Sequence, residues 1–295
     1  MKRQGRRTYT LPGLTYLILL ACSISAHHIS AAEKRIVTLS SAITETVFAL
    51  GLGNHIVATD VTSISPKAAA DLPRVSQNRA VSAEGIMAFQ PDIVLAPDKD
   101  VPPAVVQHLR QSGVRFIALR QEFSEKGAYR FIQEIADVLA IPEKGKEVVQ
   151  RTKMAMERVS TIVEEATSGK TKPKVLFIYA RGAGAMSVSG KGSSLDGIIE
   201  LAGGRNAVQE FADFKPYTTE ALVKANPDVI LMFDFGVSSL GGKKAILKMP
   251  GMQLTEAGKH ERILVMNPSL LVNFSTRLPE GVALLHRELI ALCDK

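Results

Sequence analysis

The chain of 295 residues has no tryptophan, only 5 % aromatic residues and two cysteines, Cys22 and Cys293. Two thiols cannot form a disulfide framework, so packing alone must hold the fold. Cys293 lies on a terminal amphipathic helix with no motif around it and reads as a half-buried structural thiol. After the first 32 residues the histidines are His55, His108, His260 and His286. No two stand at ligand spacing, which argues against a zinc or manganese carrier, and each reads as a surface or lightly buried side chain. There is no Gly-x-Ser-x-Gly elbow, no HExxH and no Cys–His partnership, so the common hydrolase arrangements are excluded. No apolar run is long enough to span a bilayer. Acidic residues are missing from residues 1–32, which carry Lys2, Arg3, Arg6 and Arg7. Without that stretch the net charge of +7 falls to +3, from 32 basic and 29 acidic side chains. The basic residues are scattered and not interleaved with aromatics, so no nucleic-acid footprint remains.

A feature that is present occurs twice. Residues 82–96 read SAEGIMAFQPDIVLA and residues 218–232 read TTEALVKANPDVILM. In each copy a hydroxyl residue, Ser82 or Thr218, is placed to cap a short helix. A carboxylate, Glu84 or Glu220, then falls in its first turn, where the helix dipole favours it. The residue before proline, Gln90 or Asn226, stops the helix. The apolar run that follows is a strand of the kind buried on both faces of a parallel sheet. Two copies and no third predict two similar lobes rather than a solenoid. Equivalent positions in separate lobes would hold Glu84 and Glu220 too far apart for an acid/base pair.

The remaining chain alternates strand and helix, the rhythm of a parallel sheet covered by helices. Residues 1–32 read as an export signal. They have a basic start, an apolar core from Leu14 to Ala26, and small residues Ser30 and Ala32 before Glu33. An alternative is lipidation at Cys22, because Leu-Leu-Ala-Cys approximates a lipobox. Residues 33–142 then form an N-terminal α/β lobe and residues 171–295 a C-terminal one. Between them, residues 143–170 form the connecting helix, its run from Glu143 to Ser168 about 39 Å long, with Val148, Met156, Val159 and Val163 among its apolar positions. The fold class expected is α/β, two Rossmann-like lobes with parallel sheets joined by a long α-helix. Arg181–Met186 is a Gly-rich turn, but Ser187 stands where the dinucleotide fingerprint needs glycine. Residues past the second repeat copy read as a Gly-rich loop up to the strand Ile263–Met266, and residues 267–279 as a loop without glycine.

Several stretches together resemble one family. They are Thr44-Glu45 with Ala49-Leu50-Gly51, residues 79–85 (RAVSAEG), both Pro-Asp strands, residues 182–192, Leu201-Ala202-Gly203-Gly204 with Asn206-Ala207, and Lys215-Pro216. From Arg35 onward the chain resembles class III periplasmic substrate-binding proteins of ABC importers, and more narrowly the haem-binding ones. The resemblance implies a periplasmic carrier that catalyses nothing, with haem as transported ligand and not as cofactor. It implies an ABC permease dimer with its ATPase as partner. Glu84 and Glu220 match the carboxylates that dock on the two permease subunits. Arg79 matches the arginine that binds a haem propionate through charge-assisted hydrogen bonds.

One departure bears on the ligand. Gln77 stands where haem-binding relatives carry an iron-ligating tyrosine, and a neutral amide is a poor ligand for ferric iron. Other ligation candidates are Tyr217, which ranks first, Tyr179 and Met186. Arg181 and Arg277 are candidates for a second anionic contact. Gln77 keeps open a carrier of an iron-siderophore or cobalamin, and the fold alone keeps open an exported enzyme or sensor.

Overall fold

The computed structural model describes residues 34–293, except Arg79, residues 183–185 and Tyr217. The export signal, Cys22, Arg79 and Tyr217 therefore lie outside the described residues. A four-stranded parallel sheet comes first, built from β1 (Ile36–Thr38), β2 (Ile56–Thr59), β3 (Ile93–Pro97) and β4 (Arg115–Leu119) in the order β2-β1-β3-β4. The second sheet contains β5 (Lys174–Ala180), β6 (Met186–Ser189), β7 (Arg205–Asn206), β8 (Phe214–Pro216), β9 (Val229–Phe233) and β10 (Ile263–Met266). Its order is β10-β9-β5-β6-β8, with β7 beside β5.

This second sheet is mixed. Strands β5, β7, β9 and β10 are parallel, whereas β6 runs antiparallel to β5 and β8 antiparallel to β6. The Gly-rich stretch after β5 is therefore a hairpin connection, with Ala180 opposite Met186. A two-stranded antiparallel edge on a parallel core needs only a tight turn, whereas each parallel step needs a helix crossover. The stretch read as a Gly-rich loop after β9 holds short helices at Asp234–Ser239, Lys243–Leu247 and Glu256–Lys259, and Pro268–Leu271 is a fourth. Helices of four to six residues are too short to show a 3.6-residue period, which is why they read as loop.

The repeat has a structural role in both lobes. Ser82 accepts from Gly85 N and caps the helix Ala83–Met87, and Thr218 accepts from Ala221 N and caps Thr219–Ala225. Gln90 and Asn226, at the helix ends, have positive φ. The aspartate after each proline then clamps the neighbouring strand. Asp92 Oδ2 accepts from Arg35 N at 2.8 Å, and Asp228 Oδ2 accepts from Lys174 N at 2.7 Å. In return Asp92 N donates to Arg35 O and Asp228 N to Lys174 O. A basic side chain closes each unit, with Arg35 donating to the carbonyls of Phe89 and Gln90 and Lys174 to that of Ala225. The Pro-Asp pair thus fixes register between the repeat strand and the first strand of its lobe, Ile36 opposite Ile93 and Val175 opposite Val229.

Both sheets are covered on two faces. Ile36, Ile93 and Leu95 pack with Ile43, Phe131, Ile132 and Ile135 on one side of the first sheet. Val37, Val94 and Ala96 pack with Ile86 and Leu109 on the other. The helix Pro142–Thr167 has 26 residues and belongs to both cores. Val148 is buried with the first sheet, Met156 and Val163 with the second. At Gly145 it crosses the helix Glu125–Val138 so closely that a Cβ would lie 2.5 Å from Ala136 Cβ. Cys293 is partly buried at the end of the helix Leu278–Cys293. His286, expected near the surface, is buried, and its Nδ1 lies 2.9 Å from Ala202 O.

Candidate functional site

The carboxyl ends of both sheets point towards one seam. Residues following β1 and β2 there meet residues following β10. Thr46 and Ser275 share a buried hydrogen bond, Glu45 accepts from Asn273, and Arg277 reaches Glu45 and Ser65. Phe123 packs edge-on against Phe274 at 5.3 Å in the same region. In open α/β sheets, ligands bind outside the carboxyl ends of the strands. Among the described candidates, Arg181 follows β5 directly and Gln77 follows the extension of β2.

In the first lobe, Val75 N donates to Thr59 O and extends the carboxyl end of β2, leaving Gln77 exposed two residues on. The Asn78 side chain orders this segment by accepting from Ala80 N at 2.8 Å. In the second lobe, β5 ends in Tyr179-Ala180 and leads to Arg181, while β9 leads to Asp234-Phe235. Tyr179 is half-buried, with ring contacts to Phe233 at 6.3 Å and Phe235 at 5.8 Å. Its hydroxyl has no hydrogen-bond partner among the described residues. Arg181 is exposed, and its guanidinium carbon lies 5.6 Å from the Phe235 ring centroid, within range of a cation–π contact. Gly182 takes a positive φ of 74° immediately after it, and its N–H donates to Ser239 Oγ. Met186 is half-buried and packs with the cluster around Ile178 and Val188, on the opposite face of β5 from Tyr179.

Arg277 is placed differently. It sits in the seam and donates to both oxygens of Glu280 at 2.7 Å, with longer contacts to Glu45 at 3.4 Å and Ser65 at 3.2 Å. Hydrogen bonding to Glu280 is the main cause that raises its pKa. The same bond holds the Glu280 carboxyl below its ordinary range. Phe235 was missed in the sequence. Its only signal there is an aromatic just beyond an apolar run.

Glu84 and Glu220 are both exposed in the first turns of their helices. Each carboxyl is held below the usual range by its own backbone N–H and then by its cap hydroxyl, Ser82 or Thr218. Both therefore stay ionised near neutrality. Among the described residues no group of three or more histidine, cysteine, aspartate or glutamate side chains is arranged to hold a metal ion.

Two α/β sheets that meet at their carboxyl ends, with one helix anchored in both cores, are the architecture of a class III periplasmic binding protein. The chain belongs to the periplasmic binding protein family, whose pattern matches residues 36–270. Among solved structures it is similar to the periplasmic heme-binding protein BhuT in complex with two hemes. The identity is 34 %, the TM-score is 0.83, and the match covers 88 % of this chain and 98 % of that one. It is also similar to the uncharacterized ABC transporter substrate-binding lipoprotein YvrC of Bacillus subtilis, at 27 % identity over 84 % of this chain and 77 % of that protein. The vitamin B12-binding protein of Photorhabdus laumondii is 25 % identical over 66 % of this chain and 67 % of its own length.

Proposed function

We propose that this protein is a periplasmic carrier that holds haem in the cleft at the seam and hands it to an ABC permease dimer with its ATPase. The observation that carries this reading is the aromatic and cationic ledge at the carboxyl ends of β5 and β9. Tyr179 and Phe235, packed edge to face, offer apolar ring surface against which a porphyrin could rest, and Arg181 offers an anchor for a propionate. The likeness to BhuT supports the same ligand. Proteins of this family are substrate-binding components of transport. Tyr179 is assigned to the haem iron because its hydroxyl has no hydrogen-bond partner among the described residues. Tyr217 is the alternative. Arg79, in the first lobe's part of the sequence, takes a propionate. Lobe boundaries are 33–142 and 171–295, with residues 143–170 as the strut.

The test is titration of the purified mature chain with hemin, followed by absorption. A saturable spectral change is expected. Arg79→Ala should weaken binding by about 1.5–3 kcal/mol, the range for a hydrogen bond to a charged group. No spectral change with hemin alongside tight binding of cobalamin or a siderophore would replace the ligand and leave the carrier. The likeness to the vitamin B12-binding protein makes cobalamin the first competitor to assay.

The long helix also limits motion. A continuous strut of about 39 Å, packed into both cores, resists the hinge opening that loop-joined lobes allow. Small-angle scattering of ligand-free and loaded protein should differ by a small lobe rotation only. A large compaction on loading would rule the strut out as a brace.

A further inference from the structure

We propose that Glu45 crosses the seam as a neutral carboxylic acid paired with the Asn273 amide, and that this pair makes the contact between the lobes proton-linked. Glu45 belongs to the helix Ser41–Ala49 of the first lobe and is 4 % exposed; Asn273, which follows β10 in the second, is fully buried. Asn273 Nδ2 donates to Glu45 Oε2 at 2.5 Å. Asn273 Oδ1, also buried, has no partner among the described residues. A carboxylate offers acceptors only, whereas a carboxylic acid offers an acceptor and a donor side by side, the complement of a primary amide. A proton on Glu45 would therefore supply the donor that the amide oxygen lacks.

Charge compensation for an ionised Glu45 is weak. From the second lobe Arg277 approaches to 3.4 Å, but its short bonds go to Glu280. Glu280 is itself a like charge facing Glu45. The loop after β2 brings Ser65, which receives Arg277 rather than Glu45. On the same helix, Thr46 is taken by Ser275. Burial pushes the Glu45 carboxyl up to about 7, against the opposing pull of Arg277 and Asn273.

The sign follows from linkage. With the lobes in contact Glu45 binds its proton more tightly than when water reaches it, where a glutamate titrates near 4.3. The contact is therefore most favourable below that value and weakens as pH rises towards 7. The separation equilibrium should rise on the order of 10²-fold over that window, at about tenfold per pKa unit. Above it the loss is complete.

The measurement is the lobe-to-lobe distance by pulsed electron paramagnetic resonance on ligand-free protein. Labels go at Gln107→Cys and Lys244→Cys in a Cys293→Ser background. The distribution should be narrow at pH 5.5 and broader at pH 8.5. In Glu45→Gln, whose amide can match Asn273 without a proton, it should stay narrow throughout. Arg277→Gln removes a cation that favours ionisation, so its broadening should move to higher pH; this variant also serves if Glu45→Gln does not fold. An unchanged wild-type distribution across this range, a pH response retained in Glu45→Gln, or no shift in Arg277→Gln would each overturn the proposal. Hemin is absent throughout, so the outcome is independent of the ligand assigned above.

Discussion

Cells whose sole copy of this protein carries Glu84→Ala and Glu220→Ala are expected to import no haem, while the purified double variant binds hemin as tightly as wild type. Both carboxylates are exposed and ionised, and they occupy equivalent places in two copies of one helix–strand unit. A partner with two-fold symmetry would present the same receptor surface to each. Exposed interfacial charges steer encounter and fix register, so their loss acts on docking and not on the cleft. The variants should fold, because Ser82 and Thr218 keep capping the helices from their own hydroxyls. Each single variant should retain partial uptake through the other lobe. The readouts are haem-dependent growth and hemin titration in parallel. A double variant that lost hemin affinity would move the carboxylates from the docking face to the ligand.

The second large effect is spectroscopic. With Gln77 in the first lobe, the proposed iron ligand is a tyrosine of the second. The ferric complex should show a phenolate-type absorption band, and Tyr179→Phe should erase it and weaken binding. Tyr217→Phe should leave it. The reverse pattern would assign the iron to Tyr217. If neither change alters the spectrum, no phenolate ligates, and affinity rests on Arg79, Arg181 and burial of the porphyrin face at about 25 cal/mol per Å² of apolar area. Gln77→Tyr should in every case add a phenolate from the first lobe and tighten the complex, because Gln77 is exposed just beyond the carboxyl end of β2.

What the sequence determined by itself is local in origin. The capped helices, the buried runs of β3 and β9 and the 26-residue strut follow from hydroxyl caps, apolar runs and helical periodicity, signals that span at most a few turns. The repeat made the two-lobed plan legible, because identical local chemistry at 82–96 and 218–232 implies identical units. Beyond that reach the signals fail. Asp92 and Asp228 read only as companions of a helix-stopping proline, yet each clamps a strand 57 or 54 residues away. The antiparallel edge of β6 and β8 was hidden because a Gly-rich turn is compatible with either a hairpin or a crossover. Arg277 read as a free cation facing the cleft. Its acidic neighbour Glu280 was visible three residues on, but its approach to Glu45 spans 232 residues. His286 carries no mark of burial, since only tertiary packing turns its ring nitrogen towards Ala202 O. The same holds for the seam. Glu45 is an ordinary helical glutamate in the sequence, and its desolvation arises only where a segment following β10 closes over it, because burial is a property of the assembled lobes and not of the helix that carries the residue.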